Sequence, residues 1–324
     1  MISFIIVGRN EEKNLKRCFE SIYNTIHYNY IKDYEIIYVD SKSTDRSISI
    51  AEEYEQIKIC RILGYCNAAI ARNIGATESN GNILFFIDGD MEIEKEFISH
   101  VLDQKMNLKY DMVSGQVLDI IEGIPDKLRY PKENSLSFKI IRRIASPGGI
   151  FIIKKENWKS VNGMKTKYNT GEEPDLLYRL LKKGFTFIRI DENISKHYTY
   201  SQLDMTRKWK FIFNKEEFYS RCVIYRDHFF NRYMYYGMWE NDKTFILLTI
   251  SIALMLVFPK AFPVLVITYF LAVFLRSVKQ VKNISGIRYI LYYFFLDLLN
   301  LIFLFTFFPK DHSLEYSVIT EGSK

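Results

Sequence analysis

Residues 83–87, Ile-Leu-Phe-Phe-Ile, form an apolar run that follows Gly81-Asn82 and closes on Asp88-Gly89-Asp90. The run is short for a helix and is built from β-branched and aromatic side chains. It predicts a strand covered on both faces, as in a parallel sheet. The two carboxylates then stand just beyond its C-terminal end, where open α/β sheets hold their ligands. Gly89 between them permits close backbone approach or unusual dihedrals. Paired oxygen donors suit Mg²⁺ or Mn²⁺ better than zinc, which prefers nitrogen and sulfur. Taken alone, the same three residues equally describe a polar turn after a strand.

The surrounding sequence decides between these. "ISFIIV" reads as a first strand, and "NEEKNLKRCFESIYN" repeats Leu15, Cys18, Phe19 and Ile22 at helical spacing. "YEIIYVD" is a second strand, followed by "STDRSISIAEEY", a helix for which Ser43 or Thr44 is the expected cap and Asp45 an acidic first-turn residue. "IKICRI" precedes "CNAAIARNIGATES", a helix of small residues able to lie close on a sheet. This alternation predicts a parallel sheet with helices on its faces. From about residue 110 the pattern loosens: "YDMVSGQVLDII" and "FTFIRID" read as strands, "SPGGIFIIKKENW" as a glycine turn into another, and "PDLLYRLLKKG" as a helix closed by Gly184.

The last third changes character. Residues 205–243 interleave aromatic side chains with Arg and Lys and are read as interfacial helices on an anionic membrane. Residues 244–309 hold three apolar runs: a helical hairpin over 245–275 and a third helix over 287–308, of about the ~20 residues a span requires. Arg276, Lys279, Lys282 and Arg288 place the connection before the third run on the cytoplasmic side. The third run then crosses outward, or lies along the surface if Asp297 and Asn300 face water. Residues 310–324 form a polar tail, and residues 1–204 a cytosolic domain. The start "MISFIIVGRNEE" turns polar too early for a signal peptide. Cys18, Cys60, Cys66 and Cys222 show no metal-ligand spacing and are expected as reduced thiols. A net charge of +6 without a basic recognition fold excludes a nucleic-acid binder.

Five motifs in order, "VGRNEEKNLKRCFESI", "VDSKSTDRS", "ARNIGATESNGNILFFIDGDM", "GGIFIIKKENW" and "GEEPDLLYRLLKKG", resemble the family 2 glycosyltransferases, inverting enzymes of the GT-A fold. The resemblance covers roughly residues 2 to 190. It implies a Rossmann-like, mixed, mostly parallel sheet with helices on both faces, here joined to C-terminal transmembrane helices. It also implies a metal-dependent hexosyl or N-acetylhexosaminyl transferase taking a nucleotide-sugar, a UDP-sugar by expectation, to a membrane-proximal glycan or lipid-linked acceptor.

Carried onto this sequence, the family's DxD falls on Asp88 and Asp90, with Asp90 as Mg²⁺ or Mn²⁺ ligand and Asp88 touching donor and metal. Asp40 matches the aspartate that reads the nucleobase, although "VDSKSTD" lacks the second acidic residue of "VDDGSTD". Val7, Arg9 and Glu11 occupy the nucleoside segment, in a version lacking the usual proline and aromatic residue. Arg72 and Asn73 match donor-pocket positions; a surface ion pair is the alternative for Arg72. The acceptor hydroxyl needs a base, and a poised carboxylate is the common solution. Register in "GEEPDLLYRL" places that base on Glu173, with Glu172 and Asp175 as fallbacks; acidic residues also favour a helix N-terminus for electrostatic reasons alone. Gly148 and Gly149 frame the acceptor, Trp158 stacks on a sugar ring or packs in the core, and His197 is a candidate third metal ligand or a structural histidine. "DMTRKW" departs from the QxxRW of processive synthases.

Three other readings compete. A polyprenyl-phosphate acceptor would use Arg207, Lys208 and Lys210. A phosphatase of the haloacid dehalogenase type also sets an aspartate pair after a strand, but as DxDx[TV] after the domain's first one. A non-catalytic, membrane-anchored nucleotide-sugar-binding protein would keep the fold without turnover.

Overall fold

A computed structural model describes residues 1–121, 124–128, 139–140, 147–199, 220–281 and 288–322. The chain divides into two compact units, Met1–Leu203 with Lys310–Lys324, and Asp204–Pro309.

The first unit opens with the expected alternation: β1 (Ile2–Gly8), α1 (Leu15–Tyr28), β2 (Tyr34–Asp40), α2 (Ser47–Glu52), β3 (Ile57–Ile62), α3 (Ala68–Glu78) and β4 (Ile83–Asp88). It continues with β5 (Met91–Ile93), α4 (Phe97–Val101), β6 (Met112–Ile121), β7 (Ile124–Leu128) and β8 (Lys139–Ile140). Then follow β9 (Phe151–Lys154), α5 (Lys155–Ser160), α6 (Glu172–Lys182) and β10 (Phe187–Thr199). β1 lies between β2 and β4, all parallel, and β2 pairs in parallel with β3. β9 inserts antiparallel between β4 and β6, while β10 runs parallel to β6 and antiparallel to β5. The sheet is therefore mixed and mostly parallel, as the sequence implies.

Burial follows from composition. Every residue of β4 from Ile83 to Ile87 is buried, because helices cover both faces of the central strands. On one face Phe4 packs on Phe85 and Phe19 on Tyr38. On the other, α3 approaches closely because Gly75 lacks the Cβ that would collide with Ile5 Cγ2. Asn67 caps α3 through Ile70 N–H. At α2 the expected cap is corrected: Ser43 and Thr44 instead bond Asn10, tying the loop after β2 to the loop after β1. The cysteines are free thiols, three of them buried.

Two departures matter for function. The short strand expected at "FTFIRID" is the beginning of a 13-residue β10, whose register shifts between Arg189 and Ser195 re-aim its second half. The polar tail is not a separate appendage. Its β11 (Tyr316–Thr320) pairs antiparallel with β3, covering what would otherwise be an open sheet edge.

The second unit contains α7 (Ser220–Asp227), α8 (Arg232–Asn241), α9 (Lys243–Val257), a short turn at Pro259–Ala261, α10 (Phe262–Val281) and α11 (Arg288–Thr306). Residues 205–219, with Arg207, Lys208 and Lys210, lie outside the described residues, as do Ser146 and residues 282–287 of the connection before α11. Among the described residues, Pro259–Val278 and Tyr289–Thr306 are long and apolar enough to cross a membrane, and α9, with 15 residues, is shorter. Asp297 and Asn300 do not face water; both are fully buried within this unit.

Gly75→Ala tests the close approach of α3. Overpacking of this kind costs about 1–3 kcal/mol, so the urea or thermal midpoint is expected to fall while the unfolding transition keeps its shape.

Candidate active site

The parallel register brings the ends of three strands level: Val7 faces Asp88 across β1 and β4, and Gly8 faces Asp40 across β1 and β2. Gly89 N–H donates to the Val7 carbonyl (2.8 Å), which locks the turn carrying Asp88 and Asp90 onto the end of β1. Val7 contributes through this carbonyl; its side chain is buried.

At the centre lies Arg72, on α3 and only 2% exposed. Its Nη2 donates to Asp88 Oδ1 (2.9 Å) and its Nη1 to Glu172 Oε1 (3.0 Å), with Glu173 Oε1 at 3.5 Å. Arg72 is thus neither a surface ion pair nor free for a phosphate. It joins the aspartate at the end of β4 to the first turn of α6.

Asp90 is held differently. Its Oδ2 lies 3.1 Å from His197 Nε2, and His197 Nδ1 lies 2.7 Å from Asp119 Oδ1. The shifted half of β10 sets His197 opposite both Met91 and Asp119, so the bulge aims the imidazole at Asp90. Asp90 Oδ1 is buried and, among the described residues, has no hydrogen-bond partner. An unpartnered buried carboxylate oxygen is costly, and a cation would satisfy it. Among the described residues no ready-made cluster of three His, Cys, Asp or Glu ligands is present. A metal held here would therefore draw on Asp90 and on oxygens that a ligand brings. Asp119 was missed in the sequence; only its place on the strand next to the one bearing His197 singles it out.

The site is electrostatically crowded. Burial, opposed by Arg72 and assisted by Asp90 and Glu173, raises the Asp88 carboxyl to about 6. Burial, partly offset by Asn14 and reinforced by Asp90 and Asp88, raises Glu11 to about 7. Burial and the neighbouring Glu173 raise Glu172 to about 8. A bound cation would relieve the repulsion at Asp88 and Glu11. Gly149, on the loop before β9, leaves the space that Asp88 occupies: a Cβ there would collide with Asp88 Oδ2. Gly148 has φ +77°, a conformation that favours glycine.

Other expected site residues have structural duties. Asp40 is fully buried and accepts from Ser43 N–H (3.1 Å) and Tyr38 O–H (3.3 Å), capping the turn after β2. Asn73 clasps Met164 through both its backbone groups. Asp175 is fully buried and accepts from Arg179 Nε (2.9 Å) and Nη2 (2.6 Å), which removes it as a base. Trp158 is buried against Phe86, so it packs in the core rather than on a sugar. Arg9 is exposed at the rim. Glu172 is nearly enclosed, whereas the Glu173 side chain keeps 18% exposure.

Two outcomes check this geometry. Gly149→Ala is expected to displace the Asp88 carboxylate from Arg72 and lower the thermal midpoint, since breaking a buried ion pair costs about 3–5 kcal/mol; an unchanged midpoint contradicts the packing. The second concerns pH. The ordinary glutamate value is 4.5, and in the folded chain Glu172 titrates near 8. The folded state thus keeps a proton that the unfolded state releases. The associated stability is complete below about pH 4.5 and lost as pH rises through 8. Urea titrations across that window should show a shallower decline for Glu172→Gln than for the wild type.

The comparisons agree with this architecture. Residues 3–158 match the family described as Glycosyl transferase family 2, and residues 136–202 match the N-terminal domain of galactosyltransferase. An uncharacterized glycosyltransferase of Haemophilus influenzae is 26% identical over 202 residues, 60% of this chain and 67% of that one. The Methanococcus voltae dolichyl N-acetyl-alpha-D-glucosaminyl phosphate 3-beta-D-2,3-diacetamido-2,3-dideoxy-beta-D-glucuronosyltransferase is 27% identical over 229 residues, 62% of this chain and 68% of that one. The crystal structure of GalNAc-T7 with UDP, GalNAc and Mn²⁺ superposes with a TM-score of 0.54 at 15% identity, a likeness of fold covering 74% of this chain and 56% of that one. The mixed sheet with its paired aspartates at the end of β4 has the GT-A fold shared with GalNAc-T7, and residues 3–158 are similar to the family 2 glycosyltransferases.

Proposed function

We propose that the chain transfers a sugar, with inversion, from a nucleotide-sugar to a lipid-linked or growing glycan acceptor at a membrane. The observation that carries this reading is the Arg72 bridge, which ties Asp88 to the helix start bearing Glu173. A donor-side carboxylate and a partly exposed candidate base are thereby fixed in one site.

In this reaction the acceptor oxygen attacks the anomeric carbon while the bond from that carbon to the diphosphate oxygen breaks. The nucleoside diphosphate leaves with the bonding electrons, and the acceptor proton passes to the Glu173 carboxylate. Glu173 suits this better than Glu172, which is enclosed and tends to hold its own proton. Arg72 fixes Glu173 and Asp88 together and offsets part of their charge. Asp90, with its unpartnered Oδ1, is the residue that would hold Mg²⁺ or Mn²⁺, with Asp88 and His197 beside it. Such an ion supplies Lewis-acid stabilisation of the leaving diphosphate. UDP-sugars are the first donors to test, since GalNAc-T7, which shares the fold, was solved with UDP. Asp40, occupied by its turn, does not add support for uracil. Glu11 and Arg9, at the end of β1, remain the nucleoside-side candidates.

The acceptor reading draws on the second unit and on one relative. Exposed apolar side chains on α9, α10 and α11 call for a lipid environment. The Methanococcus relative is named for an acceptor built on a dolichyl phosphate. We therefore place the protein at a cell membrane, with residues 1–203 on its cytoplasmic side.

Purified full-length protein incubated with UDP-sugars and Mn²⁺ or Mg²⁺ is expected to release UDP in a metal-dependent manner. Asp90→Ala and Glu173→Gln should each lower the rate about 10²–10⁴-fold. Phosphate release from monoesters, or UDP release indifferent to both substitutions, would overturn the proposal.

A further inference from the structure

We infer that the last apolar helix, α11, does not cross the bilayer, and that the chain enters and leaves the membrane on the face where the catalytic unit lies. This rests on the membrane reading above. It departs from the sequence expectation of an outward crossing over 287–308.

The tail supplies the first constraint. In β11, Tyr316 pairs with Ile62, Ser317 with Arg61 and Val318 with Cys60. Just before it, Leu63 N–H and Gly64 N–H both donate to the Glu315 carbonyl (2.7 and 3.2 Å), and His312 stacks on Tyr65 with centroids 3.7 Å apart. Lys58 pairs with Glu78 (2.5 Å) and Glu321 (3.1 Å). A strand cannot complete a sheet from the far side of a bilayer. The chain beyond Asp311 is therefore on the same side as residues 1–203.

The second constraint lies within the helical unit. Arg276, near the end of α10, donates from Nη2 to the Asn241 carbonyl (2.7 Å) and from Nη1 to Thr244 Oγ1 (2.5 Å). The end of α10 thus returns to the level where α9 begins, so the two form a hairpin that enters and exits by one face. The basic connection that follows agrees with a cytoplasmic position. With Arg288 and Lys310 both on that face, α11 makes no net crossing.

The side chains of α11 fit the same conclusion. Asp297, near its middle, accepts from Tyr269 O–H (3.1 Å) and lies 3.9 Å from Arg276 Nη1. The middle of α11 thus carries a buried carboxylate whose polar partners come from α10. Arg226 of α7 donates to the Leu304 and Phe307 carbonyls (3.1 and 2.8 Å), capping the helix with a cation. Leu291, Phe295, Ile302 and Phe305 form one exposed apolar stripe, while Tyr293, Leu296, Asp297 and Asn300 are buried. The exposed stripe is left to lipid, while the opposite face packs on the other helices of this unit.

The test uses the full chain in membranes, with one epitope before Met1, one in the connection at 282–287 and one after Lys324. Carbonate-washed membranes should retain the protein. In sealed right-side-out vesicles all three epitopes should resist protease and be cut only after detergent. As a check against tag artefacts, Ser313→Cys should react with an impermeant maleimide only after lysis. A retained protein whose C-terminal epitope is cut in sealed vesicles, or whose Ser313→Cys thiol labels there, would overturn the inference. Release by carbonate would instead overturn the membrane reading itself and the topology with it.

Discussion

The site is organised by one buried guanidinium. Arg72 reaches from α3 to Asp88 at the end of β4 and to Glu172 and Glu173 at the start of α6. Burying a cation is tolerated only when partners repay its lost hydration, and three carboxylates do so here. The consequence is geometric as well as energetic. The two elements proposed to supply donor-side and acceptor-side chemistry are 84 residues apart in the chain between Asp88 and Glu172, yet one side chain sets their separation. Burial first, and then the crowding by Glu173 that the single cation only partly offsets, makes Glu172 tend to keep a proton.

Much of this was legible because it is local. The run Ile83–Ile87 declares a two-sided buried strand, the small residues of α3 declare close packing, and Asp88 and Asp90 follow where such strands end. The acidic start of α6 was equally plain. What sequence could not give was pairing across distance. Arg72 and Glu172 are 100 residues apart, so a donor-pocket cation and a helix-start acid could not be seen to neutralise each other. The same blindness affected Trp158 and Asp40, whose types suggest ligand contact while their neighbours consign them to the core and to a turn.

Two further features were obscured by irregularity. Only the first part of β10 reads as a strand, because the register shifts between Arg189 and Ser195, and it is the second part that brings His197 between Asp90 and Asp119. The tail looked like a polar ending because it is short. Its Tyr316, Val318 and Thr320 nonetheless alternate as strand formers do. Pairing with β3 then does two things at once: it closes a sheet edge and ties the chain beyond the last apolar helix to the unit in which the chain began.

Asp88 and Asp90, alike in sequence, have unlike environments. Asp88 already has a permanent counter-ion in Arg72, so its charge is bound into the scaffold and its position is defined by Gly149. Among the described residues Asp90 is held by His197, whose other nitrogen is engaged by Asp119, and one of its oxygens has no partner there. A carboxylate already committed to a guanidinium gains less from a metal than one left partly unsatisfied in a buried setting. The asymmetry follows from which strand each neighbour rides on: α3 packs against β1 and β2 and offers Arg72 to the end of β4, while the shifted end of β10 offers His197 to the residue two positions later. Of the pair, Asp90 is therefore the one whose chemistry is left open for a ligand.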